Sequence, residues 1–210
     1  MSKRNKLYGL VLCGGKSSRM GFDKGELTFY NNKKHKYFLY ELLEELCDEV
    51  FISCKESQKD SIAAEYKTLT DLPEYENTGP MSALLSFREK YPDTAVFAIG
   101  CDYPFIDRES LDKLIQHRNE RAVCYINKSN GNILEPLLTV YEPDFLKIIK
   151  ENFINENFSL SRILRSENVE TIETASELTL LNVNSPKELQ KTERLIQKYN
   201  FKHKADINIV

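Results

Sequence analysis

The chain lacks the spacings of histidine and cysteine that are typical of zinc sites or disulfide frameworks. Tryptophan is absent from the 210 residues, and the three histidines, His35, His117 and His203, are far apart in polar surroundings. The five cysteines are an odd number and include no C-x-x-C pair. These absences argue against a zinc site and against a disulfide-stapled secreted domain, so we expect the cysteines to be reduced.

Long apolar runs and an excess of positive charge are also missing. The basic residues at positions 3–6 precede an apolar run of only strand length, which predicts neither a signal peptide nor a transmembrane helix. Lys and Arg total 29 against 32 Asp and Glu, giving a formal net charge of −3. This balance carries no signal for nucleic-acid binding. We therefore expect a cytoplasmic protein that acts on small molecules, with no nucleic-acid or membrane partner.

Glycine is scarce, with 8 in the chain, but two of them are adjacent and directly follow an apolar run. The apolar run from Leu7 to Cys13 predicts a buried strand, and it ends at Gly14-Gly15. The loop that follows carries Arg19 and Lys24. Glycines let backbone amides approach an anion closely, and the two cations can neutralise its charge, so the loop suits a polyphosphate. The alternative is an ordinary strand-to-helix turn with a solvated basic face.

Spacing excludes the two commonest phosphate loops. No pair of glycines has the separation of G-x-x-x-x-G followed by Lys-Ser or Lys-Thr, and Gly14-Gly15 does not provide G-x-G-x-x-G. Neither a P-loop ATPase nor a Rossmann dehydrogenase is indicated.

Three further predicted strands end in polar residues. Val50–Cys54 contains Ser53 near its end, Lys67–Thr70 is followed by Asp71, and Ala95–Cys101 is followed by Asp102. Parallel strands would bring these residues to the edge that carries the glycine loop. Ser53 would then contact a base or ribose. Asp71 is either a turn cap or an acceptor for ligand donors, and guanine presents two such donors side by side.

Asp102 is the candidate magnesium ligand. Magnesium takes oxygen ligands and is typically held by one or two carboxylates together with substrate phosphates. The alternative role, a helix cap, suits Asp107 better, because Asp107 precedes the helical pattern of Leu111, Leu114 and Ile115.

The remaining pattern predicts helices, a hairpin and a last strand. Leucines and Phe38 at helical spacing give a first helix, and Pro80 opens another that runs to about Lys90. Ser129-Asn130-Gly131 predicts a hairpin turn, hence an antiparallel excursion from the sheet. Further expected elements are helices at 61–66, 143–151 and 159–165, a strand at 178–183, and a helix from the capping box Ser185–Glu188 to Tyr199.

Five local motifs, in order, resemble one family. Leu12–Lys24 fits L-x-G-G-x-S-x-R-M-G-x-D-K, Cys101–Phe105 fits C-D-x-P-F, and Asn182–Leu189 fits N-x-N-[TS]-P-x-x-L. Weaker matches are Gly79–Ala83 to G-P-L-x-G, with alanine in place of the last glycine, and Pro136–Tyr141 to P-L-x-A-x-Y. The chain thus resembles the molybdenum cofactor guanylyltransferases, within the GT-A-like nucleotidyltransferases.

The resemblance implies an activity and its substrates. The expected reaction transfers GMP from GTP to the terminal phosphate of a molybdopterin-type cofactor and releases pyrophosphate, with Mg²⁺ as the metal. Cofactor-delivery proteins and molybdoenzymes are possible protein partners. Two alternatives stay open: a related enzyme that uses CTP or another phosphorylated acceptor, and a nucleotide-binding module without turnover.

The expected fold is a three-layer α/β/α sandwich with a Rossmann-like, mainly parallel sheet and an antiparallel excursion in the second half. We predict a single nucleotidyltransferase domain over residues 1–210, with a nucleotide half at about 7–107 and an acceptor half at about 120–199.

The resemblance also implies roles for individual residues. Catalysis is assigned to Arg19, Lys24 and Asp102, with Asp102 also the metal ligand. Nucleotide binding is assigned to Leu12, Cys13, Gly14, Gly15, Lys24, Ser53, Asp71 and Asp102, and pterin binding to Asn182 and Asn184. Where relatives often carry an arginine, this chain has Phe158-Ser159, and either Arg162 or Arg165 is a candidate replacement.

Overall fold

The computed structural model describes residues 5–13, 24–30, 33–174 and 176–199. Nine strands lie within these ranges: β1 Leu7–Leu12, β2 Thr28–Tyr30, β3 Lys33–Lys34, β4 Glu49–Cys54, β5 Thr68–Thr70, β6 Ala95–Gly100, β7 Ala122–Asn127, β8 Ile133–Tyr141 and β9 Glu170–Ile172. The α-helices are α1 His35–Glu44, α2 Pro80–Lys90, α3 Arg108–Gln116, α4 Pro143–Ile154, α5 Leu160–Ser166 and α6 Pro186–Tyr199.

Seven strands form one sheet in the order β5-β4-β1-β6-β8-β7-β9, and β2 pairs with β3 separately. In the large sheet β8 runs antiparallel to both of its neighbours, while the other pairings are parallel. The predicted mainly parallel sheet with an antiparallel excursion is therefore confirmed. β7 and β8 are the hairpin predicted around Gly131, which adopts a positive φ of 70°.

Both faces of the sheet are covered, because alternate residues of each strand enter different apolar clusters. In β6, Val96 and Ala98 pack with α2, α4 and α5, whereas Phe97 and Ile99 pack with α1 and α3. The three-layer sandwich is confirmed. A strand buried on both faces needs the near-continuous apolar sequence seen in β1. Gly9 in β1 allows α1 to approach closely, since a Cβ there would lie 3.0 Å from a Leu43 methyl.

Several helix boundaries were predicted correctly because their signals are local. Asp107 caps α3 by accepting from the Ser110 amide at 2.9 Å. Pro80 is the first residue of α2, as expected for a residue with φ already near the helical value. The predicted helix after Ser185 is α6, and the Ser185 hydroxyl accepts from the Glu188 amide at 3.3 Å.

The expected helix at 61–66 is wrong. The structure has a 3-10 helix at Glu56–Ser61 and no helical segment over the following residues. Side chains of α1 hold that stretch instead: the Ala63 amide donates to the Tyr37 hydroxyl at 3.1 Å, and the Tyr66 ring stacks on Tyr37. Tertiary contacts here outweigh a weak local helical preference.

The expected strand at 178–183 is also wrong, and β9 was not predicted. Glu177–Leu180 is a 3-10 helix capped by the Ser176 hydroxyl. The next residues cross the end of β6, where the Val183 amide donates to the Asp102 carbonyl at 2.9 Å. The three-residue β9 takes the sheet edge beside β7. A three-residue strand is too short to leave a clear period in the sequence.

The helices and the cysteines of the described residues bear on the classes of protein considered above. None of their helices combines the length and apolar character that crossing a membrane requires. All five cysteines are free thiols. The division of the chain into a nucleotide half and an acceptor half stays a prediction.

Candidate active site

Four adjacent parallel strands bring the predicted nucleotide residues to one edge of the sheet. The strand order β5-β4-β1-β6 places Asp71, Ser53, Cys13 and Asp102 in that spatial sequence along the carboxyl ends. The chain runs from β1 to β4 on one side and returns to β6 on the other. Ligands of open α/β sheets bind at such a reversal of strand order.

At one end of this edge Ser53 and Asp71 form a hydrogen-bonded pair. The Ser53 hydroxyl donates to Asp71 Oδ1 at 3.0 Å, and the Asp71 amide donates to the Cys54 carbonyl at 3.1 Å. Burial raises the pKa of the Asp71 carboxyl, and the Ser53 hydrogen bond opposes that shift. The Asp71 carboxylate is therefore partly desolvated and held by Ser53. Its role as an acceptor for ligand donors stays a prediction.

At the other end Lys24 connects two parts of the chain. Its Nζ donates to Asp102 Oδ2 at 2.8 Å and to Asn184 Oδ1 at 2.6 Å. The first contact is an ion pair that is largely shielded from solvent, with side-chain exposures of 21% for Lys24 and 12% for Asp102. Charge-assisted hydrogen bonds of this kind hold a flexible lysine in one position. The structure therefore unites a predicted catalytic lysine, the predicted metal ligand and a predicted acceptor residue.

The turn that carries Asn182 and Asn184 is held at this point by its backbone. The Val183 amide donates to the Asp102 carbonyl, and the Asn184 amide donates to Glu188 Oε2 at 2.7 Å. Asn184 Nδ2 in turn donates to Asn182 Oδ1 at 2.8 Å. The capping box of α6 thereby delivers both amides to the end of β6.

Asp102 has a buried carboxylate oxygen without a hydrogen-bond partner in the described part of the chain. Its Oδ1 is shielded from solvent and has no hydrogen-bond partner among the described residues. A buried polar atom without a partner is costly and calls for an explanation such as a bound ion. No group of three or more His, Cys, Asp or Glu side chains in the described ranges is arranged to hold a metal. One carboxylate nevertheless fits magnesium, which keeps several waters and takes its other ligands from phosphates.

Gly100 allows the Asp102 carboxylate to fold back against the strand. A Cβ at position 100 would lie 2.6 Å from Asp102 Oδ1, a separation that real Cβ atoms do not adopt. The Asp102 carboxylate can therefore occupy this position only if residue 100 is a glycine.

Other predicted site residues have simpler surroundings. The Leu12 side chain is buried in an apolar cluster, and its carbonyl accepts from the Cys101 amide at 3.2 Å. Cys13 lies half-buried beside Cys101, whose pKa is raised by a hydrogen bond with Cys13 and by burial. Gly14, Gly15 and Arg19 lie outside the described residues, so their predicted roles stay predictions.

The question of a replacement arginine in α5 stays open. Arg165 donates to the Asn132 carbonyl in the β7–β8 hairpin at 2.8 Å, and Arg162 is exposed. The Arg165 contact does not involve the edge that carries Asp102.

The buried pair of Tyr103 and Glu135, which lies close to Asp102, was not predicted from the sequence. The buried Tyr103 hydroxyl donates to Glu135 Oε2 at 2.8 Å, and Glu135 is itself buried on β8. Burial raises the pKa of Glu135, and hydrogen bonds from Tyr103 and Asn127 oppose this shift. The signal was available, because a lone carboxylate in an apolar strand needs a buried partner.

Comparison with known proteins identifies the family. The family model of the MobA-like NTP transferase domain matches residues 9–172. The chain belongs to this family. It is therefore a nucleotidyltransferase.

Individual relatives of this nucleotidyltransferase agree with the family. A molybdenum cofactor biosynthesis bifunctional protein of Synechocystis is 35% identical over an alignment of 188 residues that covers 87% of this chain and 52% of that protein. The chain thus spans about half of that relative's length. A molybdenum cofactor guanylyltransferase of Campylobacter jejuni is 30% identical, with 89% of this chain and 95% of the relative covered.

Solved structures agree on the architecture. The molybdopterin-guanine dinucleotide biosynthesis protein A of Archaeoglobus fulgidus aligns with a TM-score of 0.72 at 19% identity, covering 91% of this chain and 99% of that one. At this identity the likeness shows the fold alone.

Proposed function

We propose that this nucleotidyltransferase transfers GMP from GTP to the terminal phosphate of a molybdopterin-type molybdenum cofactor. The names of the Campylobacter and Synechocystis relatives support the choice of acceptor. The observation that carries the proposal is the double contact of Lys24, because it joins the nucleotide edge at Asp102 to the predicted acceptor residue Asn184.

The reaction needs charge neutralisation more than proton transfer. An oxygen of the acceptor phosphate, already anionic, attacks the α-phosphorus of GTP, and the bond from that phosphorus to the bridging oxygen of pyrophosphate breaks. No protein nucleophile is required. Lys24 stabilises charge that develops at the α-phosphate and, together with Arg19 in its predicted role, charge on the departing pyrophosphate.

Asp102 would hold the metal on the triphosphate through its unpartnered Oδ1. When bound, Mg²⁺ supplies electrophilic stabilisation of the phosphate oxygens. In this proposal the Gly14-Gly15 amides bind the triphosphate, Asp71 and Ser53 bind the base, and Asn182 and Asn184 orient the acceptor.

Asp71 supports guanine as the base. Its two carboxylate oxygens are adjacent acceptors, one of which accepts from Ser53, and guanine offers N1–H and the exocyclic amine side by side. Cytosine and adenine lack this pair of neighbouring donors.

Calorimetric titration with GTP, CTP and ATP, each with magnesium, tests the nucleotide. Preference for GTP supports the proposal, whereas preference for CTP keeps the roles of Lys24 and Asp102 and overturns the substrate. An assay with purified molybdopterin cofactor and α-labelled GTP then measures transfer and pyrophosphate release.

The variants Asp102→Asn and Asp107→Asn provide a matched pair for that assay. Asp107 caps α3 and takes no part in the proposed chemistry. We expect Asp102→Asn to abolish metal-dependent transfer and Asp107→Asn to retain it. A protein that binds GTP tightly but releases no pyrophosphate would be a binding module and not an enzyme of this type.

A further inference from the structure

Lys24 begins a segment that is fastened to the first turn of helix α1. The Leu27 amide donates to the Lys24 carbonyl at 3.2 Å, and the His35 amide donates to the Leu27 carbonyl at 2.7 Å. Lys36 adds an ion pair with Glu26, with 3.0 Å between Nζ and Oε1. The backbone of Lys24 therefore has a fixed place relative to the start of α1.

The side chain of His35 joins this segment to the loop that carries Asp102. His35 is 1% exposed, and its Nε2 lies 2.9 Å from the carbonyl oxygen of Tyr103, the residue after Asp102. A carbonyl oxygen only accepts hydrogen bonds, so Nε2 carries a proton and donates it. Phe29 packs edge-on against the imidazole and Phe38 stacks on it. These two rings hold the imidazole in the orientation that the hydrogen bond needs.

A second side chain joins the same two parts of the chain. The Tyr30 hydroxyl on β2 donates to the Pro104 carbonyl at 3.1 Å. Two consecutive carbonyls after Asp102 therefore accept from the segment that follows Lys24. The lysine and the aspartate are thus connected through the backbone as well as through their own ion pair.

We propose that His35 is a positioning residue that keeps Lys24 opposite Asp102, with Tyr30 in a supporting role. In the free protein, the ion pair itself also holds Lys24 Nζ at 2.8 Å from Asp102 Oδ2. In the proposed reaction, metal and triphosphate compete for these two groups, and the ammonium turns to phosphate oxygens. The backbone connection through His35 then decides where the ammonium can reach, and small displacements of such a group are costly. This role rests on the proposed catalytic function of Lys24.

Two amide substitutions at position 35 differ in how far their donor reaches. Glutamine places its NH₂ group near the position of the imidazole Nε2, whereas asparagine is one methylene shorter and places it near Nδ1. His35→Gln should keep the bond to Tyr103 and a kcat for GMP transfer near that of the wild type. His35→Asn should lower kcat by about tenfold to a hundredfold, with a smaller change in the affinity for GTP. Tyr30→Phe should lower kcat in the same direction.

Tyr125→Phe is a matched control, because it too removes a buried side-chain donor from a backbone carbonyl. The Tyr125 hydroxyl on β7 donates to the Ser110 carbonyl in α3 at 2.9 Å. We expect the melting temperature to fall in both Tyr125→Phe and His35→Asn, because each leaves a buried acceptor unpaired. Only His35→Asn should lose turnover. A purely structural role for His35 predicts that both variants keep the kcat of the wild type.

Amine labelling of the nucleotide-free protein tests the position of Lys24 without relying on turnover. Its side chain is 21% exposed, and its ammonium is bonded to Asp102 and Asn184. Acylation by a water-soluble N-hydroxysuccinimide ester, followed by mass spectrometry of peptides, reports how often these bonds open. Labelling of Lys24 should be faster in His35→Asn and Tyr30→Phe, and unchanged in His35→Gln and Tyr125→Phe.

The outcomes separate the positioning role from the proposed reaction. An unchanged kcat in both His35→Asn and Tyr30→Phe would overturn the role of His35, as would an equal loss of kcat in Tyr125→Phe. If His35→Asn does not fold, kcat and labelling of Tyr30→Phe decide in the same way. If the wild type transfers no GMP but labelling of Lys24 follows the expected order, the proposed function fails and the positioning of Lys24 by His35 stands.

Discussion

At the scale of single residues, the site consists of paired polar groups. Burying either member of a pair without its partner would cost free energy. Lys24 lies between a carboxylate and an amide oxygen, and Asp71 accepts from Ser53 in a partly desolvated position. Asp102 keeps Oδ1 without a hydrogen-bond partner among the described residues, and the Ser53 bond to Asp71 engages Oδ1 and not Oδ2. These oxygens are the points at which a metal and a base are proposed to bind.

Lys24→Ala should reduce turnover more than binding. The lysine is proposed to act on charge that develops in the transition state, and removing one such donor typically costs about 100- to 1,000-fold in kcat. Steady-state kinetics of GMP transfer give the measurement, with nucleotide affinity from calorimetry as the control. A raised KM with an unchanged kcat would contradict the role.

Asp71→Asn should raise stability at neutral pH and weaken binding of GTP. The pKa of Asp71 is raised in the folded state from the usual 3.8, so folding favours the protonated carboxyl. Stability from this group is therefore greatest below the unfolded pKa and is lost as pH rises through the folded pKa. At neutral pH the ionised group costs stability, which the asparagine removes.

Melting temperatures of wild type and Asp71→Asn measured against pH check this sign. The gap between them should close as pH falls through the raised pKa of Asp71, while GTP affinity of the wild type falls over the same range. Ser53→Ala is the companion variant, because it removes the hydrogen bond that lowers this pKa and should move the transition to higher pH. A variant that is less stable than wild type at neutral pH would contradict the argument.

Gly100→Ala should impair activity by displacing the Asp102 carboxylate. The added methyl would lie 2.6 Å from Oδ1, and the backbone there has an ordinary strand conformation, so the fold is expected to persist. Metal-dependent pyrophosphate release is the readout. Gly131→Ala is the control. An alanine forced to the φ of 70° at this position loses about 1 kcal/mol of stability, but its added Cβ would have no atom within 4 Å. Equal losses of activity in both variants would rule out a local effect at Asp102.

At the scale of elements, the junction after β8 depends on a buried ion pair. Arg118 Nε donates to Glu142 Oε1 at 2.8 Å, and both side chains are only 7% exposed. The same arginine donates to the Asn5 carbonyl at 3.1 Å, so the start of β1, the end of α3 and the end of β8 share one anchor.

Arg118→Ala should destabilise the protein by about 3–5 kcal/mol, because it leaves Glu142 buried without its charge partner. Urea unfolding measures the loss. The double variant Arg118→Met with Glu142→Gln removes both charges and should recover most of it. Arg118 and Glu142 have no hydrogen bond or ion pair with the described members of the proposed ligand-binding set, so nucleotide preference should not change. A loss of stability below about 1 kcal/mol would contradict the assignment of a buried ion pair.

At the scale of the whole molecule, the crossover from β4–β5 to β6 creates the edge at which the nucleotide is proposed to bind. Two apolar clusters hold the sheet on opposite faces, so the carboxyl ends of β1, β4, β5 and β6 are rigidly spaced. Binding of nucleotide at this edge should therefore stabilise the entire domain.

GTP with magnesium should raise the melting temperature. At a free ligand concentration one hundred times Kd, linkage adds about 2.7 kcal/mol, which for a chain of this size corresponds to roughly 5–10 °C. Differential scanning fluorimetry with GTP, with and without EDTA, measures the shift. An equal shift in EDTA would show that the metal contributes nothing to binding, contrary to the proposed role of Asp102.

The sequence alone determined the features that depend on neighbouring residues. The apolar run of β1, the hairpin at Gly131, the cap at Asp107 and the proline that opens α2 were all predicted, since turn chemistry, capping and periodicity act within a few positions. The motifs around Lys24, Asp102 and Asn184 identified the family. They did so before any distance was known.

Only the tertiary structure decided which of these residues meet. Lys24 and Asn184 are 160 positions apart, and their contact depends on a turn held by the Asp102 carbonyl. The segment at 178–183 has strand-like composition, but it crosses the sheet edge because a backbone hydrogen bond is available there. Tyr103 and Glu135 likewise pair only because β8 inserts antiparallel beside β6. Contacts between distant segments follow from strand order and packing, which local sequence does not encode.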